Sequence, residues 1–220
     1  MTPELERAVA EVHAVLGAYR APADADFCTH CLRPEQVAAL RSRRLADLTE
    51  ADLDLYLYRA MGTWGGEAEF KHYLPRMLEL LARDEWFDAG TVARKCGLSW
   101  PPEEGAAVVA FFDAWLRSAL LEHPRLTPFT QVLDVVRELG LDLRTYLAVW
   151  ERTATPGTVR HIAELLVHPP NDPVLQHWLG GDAVGDLLLE HDADGEALAA
   201  HDLWRAARDA GHRNVRRSPG

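Results

Sequence analysis

Apolar residues recur along most of this chain at intervals of three and four. Leu5, Val9, Val12, Leu16 and Tyr19 fall on one such stripe, the spacing that a 3.6-residue turn brings to a single helix face. Thr49 followed three residues later by Asp52 predicts a capping box, and Leu53, Leu57 and Ala60 continue the inner face of the helix it opens. Across residues 67–82, Phe70, Leu74, Met77, Leu78 and Leu81 form another stripe. Pro75 lies inside it and has no N–H to donate, so a kink or a restart is expected there. Residues 101–122 give the longest helix, about 30 Å if continuous. Val108, Val109, Phe111, Phe112, Trp115, Leu116 and Leu120 cover so much of its circumference that packing from several sides is expected.

Several helices announce their starts. Thr127-Pro128, Thr155-Pro156 and Asp172-Pro173 each pair a cap residue with a first-turn proline, Pro34 and Pro101 suit the same role, and Gly97 and Gly140 stand where helices should stop. No stretch alternates with period two between hairpin turns. Asp194-Gly195 comes nearest, but the Glu-Ala-Leu-Ala-Ala run after it favours helix. The chain is therefore expected to be all-α, an irregular multi-helix bundle or short helical array of about nine to eleven helices. The loop at Ser99-Trp100-Pro101-Pro102 suggests an N-terminal lobe over residues 1–98 and a C-terminal lobe over residues 99–220, unless the two form one domain. The caps at Thr127 and Thr155 align but their apolar positions do not, so a regular solenoid is possible rather than shown.

Composition narrows the classes. With 220 residues, 48% hydrophobic and 26% charged, the chain can bury a sizeable core. No apolar run reaches the roughly 18 residues of a membrane span, and the N-terminus lacks the basic and apolar regions of a secretory signal, so a cytoplasmic protein is expected. A formal charge of −11 repels phosphate backbones and suits a basic protein partner. The basic spots, Arg41 to Arg44 and the tail from Arg213 to Arg217, are short.

The sharpest chemical pattern is Cys28-Thr29-His30-Cys31. Its spacing lets both sulfurs reach one metal ion, or each other. A structural zinc needs four donors, and His72 and Cys96 are the expected completing ligands. Thioredoxin-like redox chemistry needs a strand that delivers the first cysteine to a helix N-terminus; here the next helix is expected only from Pro34, beyond both thiols. Plain packing of two small side chains is the third reading. Other patterns fail on spacing. A calcium loop counted from Glu190 has His201 at its twelfth position instead of Glu. His191-Asp192 and His201-Asp202, with His161 upstream, resemble the ligand pairs of all-helical HD phosphohydrolases, but only Asp209 follows. No serine sits in a nucleophile elbow, and Gly65-Gly66 leads into Glu67 instead of a phosphate loop.

Trp64, Lys71, His72 and Arg76 concentrate recognition chemistry, an aromatic plane and cations on one helical spacing, and are expected to form an interaction surface. The order Cys28 and Cys31, then Tyr56 through Gly65, then Phe70 through Leu80 resembles a group of uncharacterised bacterial proteins. It implies a bacterial cytoplasmic setting and carries no activity with it. The expected role is a non-catalytic, acidic interaction module, an adaptor or the inhibitor of a basic protein, with a structural zinc. The alternative is a metal-dependent hydrolase with helix-borne His and Asp ligands.

Overall fold

The stripes become helices. A computed structural model describes residues 1–22, 26–85, 88–97, 100–153, 155–168, 171–191 and 195–215, with side chains to residue 206. In chain order the helices are α1 (Pro3–Leu16), α2 (Pro34–Arg41), a single 3-10 turn (Leu45–Asp47), α3 (Glu50–Arg59), α4 (Glu67–Ala82), α5 (Ala89–Lys95) and α6 (Pro102–Leu121). They continue with α7 (Phe129–Glu138), α8 (Leu143–Arg152), α9 (Pro156–Val167), α10 (Pro173–Leu179), α11 (Asp182–His191) and α12 (Glu196–Val215). Among the described residues no β-strand occurs; extended pairing is limited to isolated bridges of Trp64 with Phe27 and with Ala60. The described residues hold twelve helices, one more than the upper end of the nine to eleven expected.

Local signals place most helix starts. Thr49 and Asp52 close the capping box before α3, with the Thr49 N–H donating to Asp52 Oδ2 at 2.8 Å. Thr155 and Asp172 cap α9 and α10, each followed by proline. Pro34 opens α2. Two starts shift by one residue: Pro102, not Pro101, is the first residue of α6, and Pro128 is the cap of α7 rather than its first residue. Pro75 causes no restart, since α4 runs unbroken from Glu67 to Ala82.

The chain forms two compact units. The first comprises Met1–Ser118 and Leu126–Leu139, the second Ala119–Arg125 and Gly140–Gly220, so the division falls inside α6 and not at the loop near residue 99. In the first unit α1, α3 and the 3-10 turn pack on α4, and α5 packs on α3 and α7. Nearly all of α4 is buried, including Glu69, Lys71 and Arg76, so its charges must be paired internally. In the second unit α12 and α11 pack on α9, while α8 meets α10 and α11. There Trp150 is buried with its indole N–H donating to Thr158 O at 3.2 Å. No helix among the described residues is long and apolar enough to cross a membrane.

Candidate functional site

The dithiol sits on a turn that long-range contacts hold in place. On one side of Phe27 the Cys28 N–H donates to Thr63 O at 2.8 Å; on the other the Gly65 N–H donates to Asp26 O at 2.8 Å. This two-bond ladder presses the backbone before the thiols against the Thr63–Gly65 turn, where Phe27 bridges to Trp64. The Trp64 ring is 2% exposed and meets Tyr56 edge-on at 5.3 Å. Gly65 takes φ +62°, a conformation that costs glycine little. A Cβ there would overlap the Glu69 carboxylate. Glu69 is fully buried, and Arg41 of α2 grips it with two parallel bonds of 3.0 Å each, Nε to Oε1 and Nη2 to Oε2. The ladder ties the segment that carries the thiols to the turn before α4, and the ion pair ties α4 to α2.

Beyond the ladder the chain folds on itself. The N–H groups of Cys31 and Leu32 both donate to Cys28 O, at 3.0 and 2.9 Å, and Leu32 is buried. Cys28 is half-buried and Cys31 exposed. Hydrogen bonding from the Cys31 thiol, then from the main-chain N–H groups of His30 and Cys31, holds the Cys28 thiol below its usual range. The Cys31 thiol is pushed up, first by donating its S–H to the Cys28 sulfur, with Arg59 pulling the other way. α2 starts at Pro34, three residues after Cys31, as expected. One turn therefore holds both thiols, Cys28 half-buried and Cys31 exposed.

The four donors expected for zinc do not converge. His72 is half-buried on α4, with its Nδ1 3.1 Å from Tyr19 O. Cys96 bonds through its sulfur to Val92 O at 3.3 Å, and burial pushes its thiol up. Among the described residues, no third His, Cys, Asp or Glu donor gathers with Cys28 and Cys31. The expectation rested on nearness in sequence, which helix packing does not preserve.

Nor do Trp64, Lys71 and Arg76 form a surface, for they are only 2%, 2% and 8% exposed. Lys71 lies 2.7 Å from Glu104 and 2.6 Å from Glu67, over the Trp100 ring at 4.5 Å. Burial alone would lower its pKa, but the hydrogen bonds to Glu104, Glu67 and Tyr19 outweigh it and hold the ammonium above its usual range. Arg76 donates to Leu48 O at 2.8 Å and pairs with Glu79 at 2.8 Å. These residues are polar locks within the first unit, and His72 is left without the neighbours that would make it part of a recognition patch.

The described residues do bring one other donor set together: His123, His161 and Glu164, all in the second unit. Burial pushes the His161 imidazole below its ordinary pKa. Among the described residues His201, buried in α12, joins no such group, and His191 lies 3.8 Å from Glu190. Asp192 and the middle of the Glu190–Gly195 segment lie outside the described residues, as do the side chains of Asp209 and of the basic tail. Comparison with family models, with curated proteins and with solved structures finds no match.

Sequence reasoning missed Glu164 and His123. A signal existed for the first, since His161 and Glu164 are three residues apart on a helix with a clear cap and so share a face. Nothing local announces His123, whose approach depends on the turn after α6.

Proposed function

We propose that the protein acts through the Cys28–Cys31 dithiol, exchanging it reversibly with the disulfide of a partner. The observation that carries this reading is the placement of the two thiols, three residues apart on one turn closed by the Cys31 and Leu32 N–H groups on Cys28 O, with Cys31 exposed and Cys28 partly so; a Cys28 thiol held below its usual range supports it. The Cys28 thiolate attacks one sulfur of R–S–S–R, forming a mixed disulfide and releasing RS⁻, which takes a proton. Cys31 then loses its proton to solvent and attacks Cys28 of the mixed disulfide, expelling the second RS⁻, which is protonated in turn. The protein loses two electrons and closes a Cys28–Cys31 disulfide; the partner is reduced to two thiols. A turn closed by i+3 and i+4 hydrogen bonds keeps the two residues close enough for that bond.

The partner that suits a formal charge of −11 is a basic protein, so the acidic interaction module gains a reactive point. Incubation with 2-hydroxyethyl disulfide, followed by intact-mass measurement, tests the reading. The expected product is a chain lighter by two hydrogens with no adduct, while Cys31→Ser stops at a mixed disulfide on Cys28. Thiols that stay reduced, or adducts that form on all three cysteines alike, would overturn it.

A further inference from the structure

In the second unit, α9 presents His161 and Glu164 on one face, and the segment after α6 brings His123 to them. His123 Nε2 lies 3.0 Å from Glu164 Oε1, and His161 Nδ1 lies 3.8 Å from Glu164 Oε2. One donor atom from each residue falls within 4.8 Å of the others, and the two imidazole rings stand 5.1 Å apart at 71°. A tetrahedral ion with bonds of about 2.1 Å separates its ligand atoms by roughly 3.4 Å, so the present spacings need only small side-chain shifts.

The tautomer of His161 is fixed from behind. Its Nε2 lies 2.8 Å from Glu122 O and 3.1 Å from Ala119 O, carbonyls at the C-terminal end of α6. Both are acceptors, so Nε2 carries the proton and the lone pair sits on Nδ1, the atom that faces Glu164. An imidazole N–H held by a main-chain carbonyl is the usual orienting contact behind a metal-ligating histidine. The carbonyl end of α6 and the Glu164 carboxylate both favour a cation at this place. His161 is buried, whereas the Glu164 side chain is 52% exposed, so one side of the cluster opens to water.

We propose that His123 Nε2, His161 Nδ1 and a Glu164 oxygen bind one divalent first-row transition ion, such as zinc, with its remaining coordination positions open to water or an anionic ligand. The ion replaces the proton that His123 shares with Glu164, which moves to His123 Nδ1 or to solvent. Three protein donors with an open position match a reactive centre, whereas a structural staple has four.

The dithiol also attracts such ions, so the test uses a Cys28→Ser/Cys31→Ser chain, which separates this site from the thiol reading. Titration with Co²⁺ should show one ion per chain with visible d–d absorption free of sulfur charge transfer. His123→Gln and Glu164→Ala, both at partly exposed positions, should each weaken binding by more than about 10-fold while circular dichroism stays unchanged. In the same Ser/Ser chain without those changes, Co²⁺ should shift or broaden NMR signals first at residues 119–125 and 158–167, a readout that does not depend on a ligand variant folding. No bound ion, binding retained in either variant, or signals perturbed first elsewhere would overturn the proposal.

Discussion

Gly65 shows how one residue can hold a site together. Its backbone is left-handed, and the space where a Cβ would stand is filled by Glu69. Gly65→Ala therefore meets backbone strain and displaces a buried, doubly bonded carboxylate; denaturant unfolding should show a loss of about 1–3 kcal/mol. An unchanged midpoint would mean that the turn relaxes freely. His201 makes a second residue-level prediction. Burial, then the neighbouring Arg205, holds its imidazole below the usual range, with the Leu179 main chain, then Asp202 and Asp182, pulling upward. Folded, it binds fewer protons than unfolded, so its stabilising share is complete above about pH 6.5 and is lost as pH falls through the folded value. A thermal-stability series in pH should show a shallower acid limb for His201→Leu; identical limbs would contradict this.

Between elements, the important contacts are ion pairs that the sequence alone does not announce. Lys71 of α4 joins Glu104 of α6 across 33 positions, and Arg41 of α2 joins Glu69 of α4 across 28. Lys71→Met should cost about 3–5 kcal/mol, because Glu104 would remain buried without its cation, and adding Glu104→Gln should restore part of the loss. A single variant as stable as the parent would show that water replaces the ammonium. What was legible follows the same division. Thr49 with Asp52, Thr155 with Pro156 and Asp172 with Pro173 were readable because capping chemistry is complete within four residues. Trp64, Lys71 and Arg76 suggested a surface, and only tertiary packing shows that α4 is covered almost all round. The Cys28–Cys31 pair was legible as chemistry. Its pinning by Thr63 and Gly65, and its separation from any cluster with His72 and Cys96, were not.

At the scale of the whole molecule, an acidic chain carries a thiol pair on a surface turn. Net charge acts over a Debye length of about 10 Å at 0.1 M salt. Exchange with the cationic disulfide cystamine should therefore slow as salt rises, and exchange with a dianionic aromatic disulfide should quicken. The opposite slopes would place the dithiol in a locally basic field. The central claim is that Cys28 is the more acidic thiol of the pair. It is tested most directly by titrating ultraviolet thiolate absorbance in the parent and in Cys28→Ser. The account predicts a first transition below the ordinary cysteine value of about 8.5 that vanishes in Cys28→Ser; a parent whose first transition lies at or above that value, or survives the substitution, would contradict it.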